Sequence, residues 1–187
     1  LDAIAALIEH EHDYSTLVLD SLDHLEPLIW KKVCEIEGKK SIEEFGYGKG
    51  YVFALDYWRQ FLAAINSLRV HKNMSLILIA HTHIRAYNSP DTEAYDRYEI
   101  KLHAKASGLI QESVDAVLFA KHKIITKKED KGFNQTRVRG ISTGERCLCT
   151  TETPGYIAKN RYGLPSEIEL SWAAFEQAIV NATAKEQ

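Results

Sequence analysis

Cysteine is scarce in this chain: three in 187 residues, at 34, 147 and 149, with no C-x-x-C spacing among them. An odd count so spaced predicts neither a disulfide framework nor a zinc site, and it points to a reducing compartment. Long apolar runs are missing as well. None reaches the length of a membrane span, and no signal-peptide pattern is visible. An excess of either charge is also missing, since 23 Lys and Arg stand against 26 Asp and Glu, a net −3. So small a balance gives no general affinity for polyanions, and any nucleic-acid contact must come from local basic patches. What is present is ordinary for a globular protein: 45% hydrophobic and 26% charged residues, with length enough for one domain and a substantial core. No internal repeat shows, and residues 1–187 read as a single domain.

The chain is organised around Ser15-Thr-Leu-Val-Leu-Asp20-Ser21-Leu-Asp23. Thr16 to Leu19 are apolar or β-branched without alternation, which predicts a strand buried on both faces of a parallel sheet. The run stops on a carboxylate and a hydroxyl. In open α/β sheets ligands bind beyond the carboxyl ends of the strands. Asp20 and Ser21 stand at that edge, where a carboxylate can hold Mg²⁺ through water and help neutralise a nucleotide's phosphates. Asp23 reads as a helix cap.

A short helix is expected before this strand, with Leu1, Ile4, Ala5, Leu7 and Ile8 on one face. His10 and His12 are two apart, which cannot put both on one helix face. After the strand, Pro27 to Glu37 reads as a helix with Pro27 in its first turn. Gly38 to Gly50 has four glycines in thirteen residues and reads as a mobile loop. Its Lys39, Lys40, Phe45, Tyr47 and Lys49 suit backbone tracking and base stacking on nucleic acid, or simply an exposed linker. Val52 to Lys72 is expected to be a long amphipathic helix burying Phe53, Tyr57, Phe61, Ala64, Ile65 and Leu68. Met74 to Ala80 is a second apolar run, ending on His81-Thr82-His83. Two such strands joined by helix make a βαβ unit with a functional edge. Arg85 to Tyr98 reads as a long polar loop, Lys101 to Glu112 as a helix, and Val114 to His122 as a third core strand. Lys123 to Lys131 is expected at a hairpin tip. Beyond it come short strands at Thr136–Ile141 and Arg146–Thr150 around a turn at Ser142–Gly144, then a strand at Glu167–Trp172 and a helix at Ala173–Ala182.

In order and content these parts resemble a RecA-superfamily ATPase core, and more closely the phage-encoded RecA-like ATP-binding proteins of single-strand annealing and recombination. LVLDSLD resembles the Walker B strand. Residues 35–50 stand where the family has its first DNA-binding loop, and 86–102 where it has its second. LILIAHTHIR resembles the strand that ends in a γ-phosphate-sensing residue, and AKNRYGLP the segment whose basic residues reach a neighbouring subunit's nucleotide. The resemblance implies a P-loop NTPase fold, a mostly parallel twisted sheet flanked by helices with antiparallel strands at the C-terminal end. It implies ATP and Mg²⁺ as cofactors, with Asp20 and Ser21 on the metal side. His81, with Thr82 as its neighbour, is the implied sensor, and Lys159 and Arg161 are the implied cations at the transferred phosphoryl group. It implies single-stranded DNA on Lys39, Lys40, Tyr47, Lys49, Arg85 and Arg97, a ring or filament of identical subunits, and the cytoplasm of a bacterial or phage-infected cell.

One departure is plain. No G-x-x-x-x-G-K-[ST] occurs, so the phosphate-cradling loop and its lysine are missing from these residues. With Leu1 already inside a predicted helix, the chain reads as a fragment lacking that strand, loop and helix. Two other classes fit parts of the pattern. One is a non-catalytic oligomeric DNA-binding module. The other is a di-metal hydrolase with Asp20, Asp23, His81 and His83 as ligands.

Overall fold

The computed structural model describes residues 2–130 and 136–184 and is a mixed α/β arrangement of helices and small sheets. Its chain divides into two compact units, Leu1–Arg85 with Tyr98–Ser113, and Ala86–Arg97 with Val114–Gln187.

The first unit begins with helix α1 (Asp2–Glu9), strand β1 (Thr16–Asp20) and helix α2 (Leu22–Glu37). A short 3-10 helix at Ile42–Phe45, helix α3 (Lys49–Lys72) and strand β2 (Ser75–Ile79) follow. β1 and β2 pair in parallel, Thr16 opposite Ser75 through Asp20 opposite Ile79. The two apolar runs are thus strands whose carboxyl ends lie side by side. Burial on both faces is not found: Leu17 and Leu19 are half-buried, while Val18 is 51% exposed. A sheet of two strands has no inner strand, and β1 is covered on alternate residues only.

Helix α2 starts five residues earlier than expected, so Pro27 lies inside it and not in the first turn. The ring removes the donor that would reach the Asp23 carbonyl, on the exposed side of the helix. Gly38 ends it in the left-handed region at φ 63°, its N–H on the Cys34 carbonyl. The stretch expected as a mobile loop is built instead. Ile42 is buried, and a Cβ on Gly50 would sit 2.6 Å from the Ile42 carbonyl. Only glycine lets the 3-10 helix close on the first turn of α3.

α3 packs against α1, α2 and α4 (Ala104–Ser113), burying Gly50, Ala54, Trp58, Phe61, Ile65 and Leu68. Three of the expected core residues fall elsewhere: Phe53 is exposed, and Tyr57 and Ala64 are half-buried. Aromatics occur on more than one face of this helix, and the packing partners select the face carrying Trp58.

Arg85 to Tyr98, expected as a long loop, instead supplies the inner ends of strands β3 (Thr82–Tyr87) and β4 (Tyr95–Ile100), which pair with each other and leave 88–94 as their connection. Arg85 meets Glu99 at 3.8 Å near the base. Toward the tip the Tyr87 and Tyr95 rings lie 5.4 Å apart, with the Arg97 guanidinium 3.9 Å from the Tyr87 ring centre. Cross-strand pairs of this kind stabilise a polar strand that shows no apolar run.

The second unit holds β5 (Ala116–Val117), β6 (Phe119–Asp130), β7 (Thr136–Cys149), β8 (Lys159–Asn160), β9 (Glu167–Glu169) and α5 (Trp172–Thr183). The expected third core strand is divided between β5, which pairs with β8, and β6, which pairs with β7. All these pairings are antiparallel, as are those of β7 with β9. Lys123 to Asp130 belong to strand β6, and residues 131–135 lie outside the described residues. The turn expected at Ser142–Gly144 is a bulge within one long strand. His122 pairs with Arg146 but Ile124 with Ser142, Gly144 adopts φ +83°, and Thr143 Oγ1 donates to the Lys123 carbonyl. Leu164, Ile168, Ala178 and Ala182 form the buried centre beneath α5, with Leu118, Leu148 and Phe175 packed on it. Among the described residues no helix is long and apolar enough to cross a membrane.

Candidate functional site

Asp20 ends β1 with its side chain exposed, and among the described residues no side chain engages its carboxylate. The Asp20–Ser21 peptide is cis. Ser21 is buried at the start of α2. Its hydroxyl donates to Asp23 and therefore accepts from His24 Nδ1 at 2.9 Å.

Asp23 joins the two strand ends. Its carboxylate accepts from the His81 backbone N–H at 3.1 Å and lies 3.0 Å from His81 Nδ1. The Asp23 side chain is 4% exposed against 61% for His81. Burial by itself would raise this carboxyl, but the hydrogen bonds from Ser21 and His81 outweigh it and hold the group far below the ordinary carboxylate range. An ionised carboxylate only accepts, so Nδ1 of His81 carries the proton and Nε2 is left for solvent or substrate. His24 packs edge-on to the His81 ring at 5.8 Å. One ligand atom from each of Asp23, His24 and His81 lies within 4.8 Å of the others.

Deeper in the first unit Glu26, 5% exposed, accepts from the His103 backbone N–H at 3.0 Å. Burial raises its pKa, opposed by the His103 bond and reinforced by the charge of Asp23. The His103 ring stacks on Tyr51 at 4.2 Å, and burial, then Lys105 and Arg85, lowers its pKa. The Tyr51 hydroxyl donates to Glu43, which raises the phenol's pKa. A cavity of about 380 Å³ is lined by His83, Ile84, Arg85, Leu102, His103 and Ala104. His83 Nε2 is buried, and among the described residues it has no hydrogen-bond partner, whereas Thr82 is exposed at the start of β3. Thus His81 belongs to the Asp23 cluster, and His83 points its Nε2 into protein.

Lys39, Lys40, Tyr47 and Lys49 are all exposed around the 3-10 helix, and Arg85 is exposed beside Glu99. Arg97 differs: its side chain is 14% exposed, lying on Tyr87 and 3.4 Å from Glu152. Lys159 Nζ donates to the Val114 carbonyl at 2.6 Å, and Arg161 lies 3.4 Å from Asp115. Between them Asn160 bonds the Leu164 carbonyl and N–H, closing the turn that follows. Lys159 and Arg161 are each held by the segment at 114–115.

His24 and Glu26 are site residues that sequence reasoning passed over. His24 sits three residues after Ser21, a helix-start spacing that brings side chains together. For Glu26 the signal was a carboxylate on the buried face of α2.

The donor left open at the strand edge is the Asp20 carboxylate, an oxygen ligand that suits a hard cation such as Mg²⁺ held through water. A family model described as an AAA domain matches residues 1–162. No curated protein and no solved structure matches.

Proposed function

The chain belongs to the AAA domain family, and from that premise we propose that it serves a nucleotide-hydrolysing ATPase, its metal-side edge formed by the ends of β1 and β2. One observation carries this reading. A parallel strand pair ends on a free carboxylate, Asp20, while Asp23 locks His81, two residues beyond the second strand, to the start of α2. Bound ATP·Mg²⁺ would supply the phosphoryl group, with Asp20 holding the metal through water beside Ser21. Asp23 acts by position: it keeps the His81 ring in one orientation and one tautomer, with Nε2 facing outward. A ring so held can accept a hydrogen bond when neutral and donate one to a phosphate oxygen when protonated.

The finer proposals follow the RecA-like resemblance: a single RecA-like domain around a mostly parallel sheet, in a phage-type protein of recombination or annealing. Exposed Lys39, Lys40, Tyr47, Lys49 and Arg85 would meet single-stranded DNA. In a homo-oligomer, Lys159 and Arg161 would serve a neighbouring subunit's nucleotide by exchanging Val114 and Asp115 for phosphate oxygens. The test is Mg²⁺-dependent ATP hydrolysis by the natural full-length protein. Asp20→Ala should abolish turnover, and mixing it with Lys159→Ala or Arg161→Ala protein should restore part of it. Unchanged turnover in Asp20→Ala sinks the assignment of the edge. Loss strictly proportional to the mixing ratio sinks the cations in trans.

A second reading has one observation in its favour, the Asp23–His24–His81 cluster, whose carboxylate and imidazoles suit a transition metal. It differs from the set expected for a di-metal hydrolase, because neither Asp20 nor His83 belongs to the cluster. Stoichiometric zinc or manganese retained by purified Cys147→Ser protein, and lost on His24→Ala, would favour this reading over the first.

A further inference from the structure

Cys147 and Cys149 are alternate residues of β7, the middle strand of the β6–β7–β9 sheet, so their side chains leave one face. Leu148 between them leaves the other face and packs with Leu164 and Ile168 beneath α5. Glu167 on β9 is the register partner of Cys149. Ligand atoms of Cys147, Cys149 and Glu167 all lie within 4.8 Å of one another. The two thiols are 0% and 1% exposed, and neither is in a disulfide.

Packing accounts for two small buried side chains, and a carboxylate lies within ligand distance of both. Glu167 takes a hydrogen bond from the Cys147 thiol and an ion pair from Lys123, whose Nζ is 2.8 Å away. We propose that Cys147, Cys149 and Glu167 form a site for a thiophilic divalent cation of the zinc class, with water completing the coordination. A zinc–sulfur distance of about 2.3 Å is reached from this spacing by small side-chain adjustments that draw the three groups onto one ion.

The charges close. On taking the ion each thiol releases its proton to solvent, giving two thiolates and one carboxylate. The dication and the Lys123 ammonium offset these three negative charges. Without a cation the arrangement is costly to ionise: burial, then Cys149 and Glu167, pushes the Cys147 thiol up to about 11. Tyr156 closes the same region, stacked on Phe119 at 4.7 Å with Lys121 over its ring and its hydroxyl in hydrogen-bond contact with Cys149. Spacing rules miss such a site, because the C-x-C pair is short by one residue and its third ligand comes from another strand.

The experiment is titration of the reduced, metal-stripped 187-residue chain with Co²⁺, followed by absorption. A thiolate-to-cobalt charge-transfer band should grow to one equivalent and be bleached by Zn²⁺. Cys34→Ser should keep the band, and Cys147→Ser and Cys149→Ser should lose it. Both of those positions are buried, so Glu167→Gln gives the independent check. Its side chain is 43% exposed, and its loss should weaken Co²⁺ roughly tenfold or more with the fold retained by circular dichroism. No band in the folded chain, a band lost in Cys34→Ser, or full affinity in Glu167→Gln overturns the proposal.

Discussion

Replacing Asp23 by alanine removes the bridge between the start of α2 and the end of β2. Three donors are left without their acceptor: the Ser21 hydroxyl and the backbone and ring N–H groups of His81. A hydrogen bond to a charged group contributes about 1.5–3 kcal/mol. The three do not add in full. The His81 ring is exposed and regains water, while Ser21 is 3% exposed and does not. Release of a buried charge from a poorly solvated place offsets part of the loss, leaving a net cost of about 2–4 kcal/mol. The pH dependence follows from the direction of the shift. The folded pKa lies below the unfolded value of about 3.9, so the stabilisation is complete above that value and disappears as pH falls through the folded pKa. Urea unfolding at neutral pH and at successive acid pH values measures it. The deficit of Asp23→Ala should be constant from neutrality to about pH 5 and shrink only in stronger acid. A deficit under about 0.5 kcal/mol at neutral pH, or one that does not shrink in acid, refutes the bridge.

Glu26 should behave in the opposite sense. Its folded pKa is raised, so its contribution is present in acid and lost as pH rises. Glu26→Gln keeps an acceptor for the His103 N–H, and it should gain thermal stability over the native chain as pH rises from 4 to 8. A variant that melts lower than the native chain at pH 8 would contradict this. Changing Lys39, Lys40, Lys49 and Arg85 together to alanine should weaken single-stranded DNA binding and flatten its salt dependence by about 0.7 logarithmic units for each phosphate left without a cation. Tyr47→Ala should lower affinity with the salt slope unchanged, as expected for a stacking ring, and anisotropy at several salt concentrations separates the two. Equal affinity in all variants would make these residues an ordinary exposed surface.

How much of this was legible depends on the range of the interactions. β1 and β2 could be read because unbroken apolar runs ending on Asp20 and His81 are local signals. The existence of α3 was legible too, but its buried face was not, since Tyr57 and Trp58 are neighbours and only tertiary packing chooses between them. Strands β3 and β4 were invisible because their support is cross-strand, Tyr95 and Arg97 against Tyr87. Ser142-Thr143-Gly144 carries turn chemistry that the structure uses in a bulge, since Lys123 supplies the carbonyl that Thr143 needs. In the site, Asp20 was a readable strand terminus, whereas the Asp23–His81 bond spans 58 residues. For Lys159 and Arg161, expected as cations at a phosphoryl group, the partners seen in the structure, Val114 and Asp115, lie some 45 residues earlier and leave no local signal.

The central claim is that Asp20 holds the metal of a bound nucleotide. It is tested most directly with Mn²⁺ in place of Mg²⁺, by electron paramagnetic resonance on the natural full-length protein with ATP. Asp20→Ala should lose nucleotide-dependent Mn²⁺ binding, while His81→Ala should keep it and lose turnover. Mn²⁺ bound equally well in the presence of ATP by Asp20→Ala and the native protein would contradict the account.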